Sequence, residues 1–569
     1  MNALLPLSLA VLALQSGEQP VDVLDASGVR TEAASSAPTG TIPDGWSPKV
    51  RLRSQDGWFA APIHATLMPD GRVHFIGFDR MVEDPAVPSV ERKATFIITP
   101  TPLGAPTPVD HTVTPLVTPL DSNNEFIDPF LVDDSLFCSG HTLTADGRLF
   151  IAGGTRLILD TGTNDLFTFG LSYSTMFDGV STTTRLPNDF LGLGAAGLNY
   201  RWYSTTTRLP DRRILITGGY DFVAPTPNKN LSAEIYDPAT DTLELFSDHA
   251  AAPAEVFNTD YTHAFVLPEP IGALDVILFG EAGAPILLST ATPASWTVLA
   301  NTRPDSIGQT QSGWGSSSAM LPIRLNDGEW GYSNGSVMIA SGLPGSSHTR
   351  NLDVFDTQNM SWMPRVDLGV VRQHPSTVLL PDGRVLIVAG HNFAGSANLR
   401  RNAYYDPRNP RGTRLGTSFS DELRGYHHVA LLLPDGRVLV GGGRDKQTSS
   451  GILEKTDMRY YSPSYMFEPN RPKIVSAPKQ LRVGKSFSLQ TNKRVREVVL
   501  MALGSMTHSI DMNQRSVQLD KQATFKVPGG FTQTVTAPPN TSVAPPGFYM
   551  LFALDNRRVP SEAVIVKLN

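Results

Sequence analysis

The chain has 569 residues, with 48 glycines, 45 prolines and a charged fraction of 18%, below the usual ~25%. So many turn formers without a low-complexity run favour an all-β fold of short strands over a helical one. The formal charge of −7 gives no basic footprint for nucleic acid, and the single cysteine, Cys138, excludes an internal disulfide and multi-cysteine zinc or iron–sulfur sites.

Ala3 to Leu14 is an almost unbroken apolar run, followed by Gln15, Ser16 and Gly17. Its length fits the h-region of a signal peptide and is too short for a membrane span. The first basic residue is Arg30, so the n-region lacks its customary charge. Residues 18 to about 45 are rich in Ala, Ser, Thr, Pro and Gly and read as a linker. Residues 1–45 are therefore expected to be a leader and flexible linker, and the protein to be secreted, periplasmic or displayed at the cell surface. No later stretch has the 18 consecutive apolar residues of a transmembrane helix.

One phrase then recurs: an apolar strand, a tight turn, a second apolar strand and small residues. It reads MPDGRVHFIG from Met68, TADGRLFIAGG from Thr144, LPDRRILITGG from Leu209, LPDGRVLIVAG from Leu380 and LPDGRVLVGGG from Leu433. Two copies with lengthened turns begin at Val266 and Ser317. Asp-Gly between β-rich strands is a strong hairpin signal and predicts a primed turn with positive φ. The strand after each turn is nearly all apolar, as in Val438–Leu439–Val440, so it is buried on both faces. The closing glycines allow close packing near an axis. Phrases ending in Tyr-Asp-Pro, Tyr236–Asp237–Pro238 and Tyr405–Asp406–Pro407, read as third strands turning outward.

Seven units over residues 46–468 give about 60 residues each, against ~50 for a kelch blade. The expected architecture is a seven-bladed kelch-type β-propeller. Lys49–Leu52 and Met458–Tyr461 are the expected partners in the blade that closes the ring. Residues 469–569 change texture to short alternating strands, such as Ser486–Gln490 and Glu497–Leu500, and read as an immunoglobulin-like β-sandwich.

The hairpin turn serves as a ruler. Eight residues before the turn Asp, or its counterpart Glu269, lie Cys138, Tyr203, Tyr261, His374 and His427, with Tyr426 adjacent to the last. Equivalent positions in a propeller form a ring at one end of the channel, so Cys138, Tyr203, Tyr426 and His427 are expected to converge, with His374 a further candidate and Tyr261 at the same offset. His428 is the alternative to His427, since strand neighbours face opposite ways. Imidazole nitrogens with phenolate oxygens suit Cu(II) in a tetragonal site. A thioether from a cysteine to a tyrosine ring would make that tyrosine's radical accessible. Copper plus such a radical accepts two electrons without flavin or nicotinamide.

These phrases resemble the radical copper oxidases, the galactose oxidase and glyoxal oxidase family, over nearly the whole chain from about residue 46. The marks are Phe137–Cys138–Ser139–Gly140, Arg201–Trp202–Tyr203–Ser204, Tyr426–His427 before LLLPDGRVLVGGG, Thr507–His508–Ser509 with Asp511–Met512–Asn513–Gln514–Arg515, and the run from Ala537 to Asp555. The resemblance implies one copper ion held by Tyr203, Tyr426, His427 and His508. It implies a Cys138–Tyr203 thioether radical and Tyr426 as the general base that takes the substrate proton. It implies delivery of His508 by a sandwich hairpin threaded toward the propeller axis. The substrates would be a small primary alcohol or aldehyde and O2, which is reduced to hydrogen peroxide, and the protein is expected to act as a monomer.

One departure stands out. Galactose oxidase places an indole over the thioether-bonded tyrosine shortly after the Gly pair; here that phrase is Gly218–Gly219–Tyr220–Asp221–Phe222. Tyr220, Phe222 or a residue of another loop is left to cover the ring. The RWYS and THS…DMNQR phrases lie nearer the glyoxal oxidase side, and no N-terminal sugar-binding domain is expected. The competing reading is a non-catalytic propeller binding glycans or proteins. A zinc hydrolase would leave the tyrosines unexplained.

Overall fold

The computed structural model describes residues 41–569 apart from 81–90, 117–125, 128–129, 161–164, 225–227, 254–260, 270–274, 281–282, 290–294, 305–314, 325–333, 343–349, 392–396, 410–411, 419, 421 and 445–453. The expected leader thus lies largely outside the described residues.

Hairpin after hairpin builds the same antiparallel sheet. In one blade Gly140–Leu143, Leu149–Ala152, Tyr173–Phe177 and Thr183–Asp189 pair in chain order. In the next, Thr205–Arg208, Ile214–Thr217, Ala233–Asp237 and Thr242–Ser247 do the same. The first strands of successive sheets lie side by side around the axis. The second strands, such as Val385–Val388 and Val438–Gly442, are buried along their whole length. The Tyr-Asp-Pro phrases do end third strands, Ala233–Asp237 and Ala403–Tyr405. Ring closure falls where the sequence placed it: Val50 pairs with Met458 and Arg51 with Asp457.

The turn differs from the expected primed one. Gly71 N–H donates to Met68 O at 2.9 Å and Met68 N–H to Arg72 O at 2.8 Å. Gly71 alone of the Pro-Asp-Gly loop has positive φ, 86°. This is a type I turn followed by a left-handed residue, which explains the proline at the first central position. The Asp carboxylate accepts the N–H of the following Arg and pairs with its guanidinium, as in Asp435 with Arg437. The copy from Leu209 has Arg212 at the glycine position, with φ 79°.

From Ile474 onward two sheets stack as a sandwich, one ordered Ile474–Ser476, Ser486–Thr491, Gly530–Thr536, Asp520–Val527. The other includes Glu497–Ala502 and Gly547–Leu554, and takes in Ile323–Arg324 from the propeller. A hairpin leaves this sandwich and enters the propeller. Ser505–Thr507 pairs with Ile510–Asp511 and, on its other edge, with Phe59–Leu67, aligning His64 with Thr507. Its turn residues His508 and Ser509 have φ 48° and 76°, the signature of a primed two-residue turn.

The Asp-Met-Asn-Gln-Arg phrase seats the hairpin. Asp511 caps three backbone N–H groups, those of Ser505, Asn513 and Gln514. Met512 sulfur accepts the His141 N–H, Gln514 bonds Leu379 and Thr377, and Arg515 donates to the carbonyls of Val543, Val266 and Ser542. Separate side chains therefore grip separate blades.

Arg515→Ala strands three carbonyls in a buried setting, and each unmet group costs about 1–3 kcal/mol. The variant is expected to unfold at a clearly lower temperature than wild type in a thermal melt. An unchanged melting temperature would mean that other contacts seat the hairpin.

Candidate metal centre

Five residues marked by the ruler share one backbone conformation. Cys138, Tyr203, Tyr261, His374 and His427 have φ of 61°, 64°, 54°, 51° and 71°. Left-handed backbone costs a non-glycine residue about 1–3 kcal/mol and concentrates at functional sites. Each of the five stands just before the first strand of its blade. The Tyr203 N–H donates to Cys138 O at 2.8 Å, so neighbouring blades are stitched together at this level.

The side chains converge. Cys138, Tyr203, Tyr261, Ile510 and Met512 pack in one buried cluster, with Phe137 and Trp202 against it. Ring centroids lie 4.5 Å apart for His427 and His508, 4.8 Å for Tyr203 and His508, and 5.1 Å for Tyr426 and His508. Tyr426 stacks on His427 at 3.9 Å, and the Tyr203 and Tyr426 hydroxyls hydrogen-bond each other. Cys138 Sγ is 3.9 Å from His508 Nε2. Tyr426 is half-buried, and the other four are buried.

Tautomers follow from the partners. His427 Nδ1 lies 2.5 Å from Glu454 Oε1; a carboxylate only accepts, so the proton sits on Nδ1. His427 Nε2 is then a lone pair, buried with no hydrogen-bond partner among the described residues. His508 Nδ1 meets Thr507 Oγ1, leaving Nε2 facing the cluster. Burial holds both imidazoles well below their ordinary value, with the Arg444 charge adding to the effect at His427 and the His427 ring at His508. They are neutral, the form that ligates metal.

Among the described residues no group of three or more His, Cys, Asp and Glu is arranged to hold a metal ion. Two neutral imidazole nitrogens and two phenol oxygens do meet here, and this donor set suits copper. The orphaned His427 Nε2 is the observation that fits it.

The neighbours sort themselves. His428 donates from Nδ1 to Gly425 O at 2.8 Å and meets Ser376 Oγ at 2.6 Å through Nε2, so it is a satisfied structural histidine. His374 lies beside Tyr426, centroids 4.9 Å apart, and stacks on His391. Tyr261 lies 4.7 Å from Tyr203 and donates its hydroxyl to Ser139 O.

The cover over Tyr203 is Trp202, stacked at 3.6 Å with 20° between planes. Tyr220 meets the indole edge-on at 5.9 Å, and the Phe222 side chain lies outside the described residues. Sequence reasoning missed Trp202 because adjacent strand residues face opposite ways. The left-handed φ of Tyr203 breaks that alternation and brings both rings together. The indole N–H is held by Thr155 Oγ1 at 3.0 Å. Glu454 was also missed; no motif surrounds it.

The architecture is thus a seven-bladed propeller entered by a sandwich hairpin, with two imidazoles and two phenols meeting where the hairpin turns. Residues 471–568 match the family model described as galactose oxidase-like, Early set domain. The aldehyde oxidase GLOX1 of Arabidopsis thaliana is 27% identical over 78% of this chain and 73% of its own length. The galactose oxidase of Gibberella zeae is 24% identical over 76% of this chain and 61% of its own length. A solved fungal alcohol oxidase of the AA5 family, in complex with copper, superposes with a TM-score of 0.65 at 20% identity, covering 92% of this chain and 99% of that one. The chain thus resembles the galactose oxidases and glyoxal oxidases, and the resemblance supports an oxidoreductase.

His427→Ala and His508→Ala each remove one nitrogen donor. Each is expected to weaken copper binding strongly, and the double variant to abolish it by metal analysis of dialysed protein. Stoichiometric copper in the double variant would refute these two donors.

Proposed function

We propose that the protein is a copper-radical oxidase that oxidises a small primary alcohol or aldehyde and reduces O2 to hydrogen peroxide. The observation that carries this reading is the meeting of His427, His508, Tyr203 and Tyr426 around an orphaned imidazole nitrogen, with Cys138 packed against Tyr203. The division into a propeller over 46–468, a sandwich over 469–569 and an exported leader belongs to the same proposal, as does a monomeric state.

When bound, copper supplies a Lewis acid and a one-electron acceptor. His427 and His508 would hold it through Nε2, and Tyr203 and Tyr426 through their phenol oxygens. Joining Cys138 sulfur to the Tyr203 ring removes two protons and two electrons, which O2 takes up as hydrogen peroxide. The linked ring would then give up an electron more easily, which makes its radical accessible as the second one-electron acceptor. Trp202, stacked on that ring, excludes water and spreads charge over a second π-system.

Tyr426 takes the proton from the substrate oxygen. Its hydroxyl touches that of Tyr203, so the proton acceptor and the electron-accepting ring are adjacent. Overall, one alcohol loses two electrons and two protons to become an aldehyde, and one O2 becomes hydrogen peroxide. An aldehyde reacts as its hydrate and yields an acid by the same count. The glyoxal-oxidase-like phrases around Tyr203 and His508, and relatives named aldehyde oxidase, favour small aldehydes and simple alcohols over galactose.

Copper-loaded protein is expected to release peroxide with small aldehydes or primary alcohols and less with galactose. No peroxide from any of them would favour a binding propeller. Tyr426→Phe should retain copper and lose about 10²–10⁴-fold in turnover, the usual contribution of a placed general base. Near-native turnover in that variant would assign the proton to another group. Trp202→Phe should bind copper and form the link, but shorten the lifetime of the radical's visible absorption; an unchanged lifetime would reduce the indole to packing.

A further inference from the structure

Behind His427 stand two charged residues that no recurring phrase includes. The Glu454 carboxylate is 8% exposed, and its Oε1 receives both the His427 Nδ1–H and the Arg444 Nε–H. Arg444 is pinned in turn. Its N–H donates to Tyr426 O at 3.1 Å, and its carbonyl accepts the Gly425 N–H at 2.7 Å. Its guanidinium carbon lies 5.5 Å from the centre of the Tyr426 ring. Lys455 N–H donates to Gly443 O at 3.0 Å, which brings the two flanks of residues 445–453 together.

A carboxylate this deep is costly unless it is paired and hydrogen-bonded. Here Arg444 supplies the charge and His427 the second donor. One oxygen atom therefore fixes the imidazole's tautomer and its ring plane, and the arginine ties the same point to the neighbouring tyrosine. Packing alone would fix neither the proton nor the lone pair of His427.

We propose that Glu454, backed by Arg444, is a positioning residue for the metal centre. It directs His427 Nε2 at the ion and makes His427 and Tyr426 move as one unit. The proposal rests on the reading of His427 as a copper ligand. A purely structural ion pair would affect the melting temperature and leave the metal's affinity and spectrum alone.

The test uses the full chain, titrated with copper against a chromogenic chelator, with pulsed EPR on the loaded protein. Loss of such an outer partner typically costs 10–100-fold in metal affinity, and that is the loss expected for Glu454→Ala. Its remote-nitrogen coupling for one of the two imidazoles should also shift. Glu454→Gln keeps an acceptor for the Nδ1–H and should recover most of the affinity and the native coupling. Should Glu454→Ala not fold, Arg444→Met carries the test, with weaker binding and an altered coupling expected. Wild-type affinity and unchanged couplings in the folded variants would overturn the proposal while leaving copper binding intact. A wild-type protein that binds no copper would overturn the ligand reading and this proposal with it.

Discussion

Everything at the centre depends on one insertion. The hairpin Ser505–Asp511 must enter the propeller far enough to set His508 against His427, 4.5 Å between ring centroids. One imidazole comes from a propeller blade and the other from the inserted hairpin, 81 residues apart in sequence, and neither side forms the site alone. The insertion is secured by backbone pairing with Phe59–Leu67 and by the side chains of Met512, Gln514 and Arg515 reaching separate blades. Ser505 adds a buried contact to Thr66 and His141. These are hydrogen bonds in a buried or half-buried setting, where an unmet partner is expensive, so they fix depth and register more firmly than apolar packing would.

The second constraint is backbone strain held at equivalent heights. A β-strand sends neighbouring side chains to opposite faces. At Cys138, Tyr203, Tyr261, His374 and His427 the left-handed backbone suspends that rule. The result is visible at Tyr203, where Trp202 lies flat on the very ring its sequence position would have turned away. It is visible again at His427 and His428, adjacent residues with unrelated partners, one carboxylate-bound at the axis and one satisfied by Ser376. The surrounding sheets, with second strands buried throughout, supply the rigidity that lets such conformations persist.

The repeat was the most legible feature of the sequence. Each turn phrase carries its own chemistry, and the closing strands around Val50 and Met458 followed from it. The ruler worked because hairpins of constant length hold side chains at constant height. Turn geometry was less legible: the same Pro-Asp-Gly letters serve a three-residue loop as readily as a primed one, and only the Met68–Gly71 hydrogen bond decides. Trp202 stood in plain view within RWYS, yet its orientation depends on a φ angle that no propensity encodes. Glu454 lies 27 residues after His427 in a polar segment without pattern. Only the fold shows that the chain brings it back behind the imidazole.

On the proposed function, this arrangement serves to make a copper-bound, sulfur-linked tyrosine. Cys138 is the only cysteine, so its fate is readable without interference. The direct measurement is thiol titration and peptide mapping after loading with copper in air. The account predicts no titratable thiol, with the Cys138 and Tyr203 peptides joined by a bond that reductant does not break and a combined mass two hydrogens short. One free thiol and two separate peptides from copper-loaded, oxidised protein would contradict it.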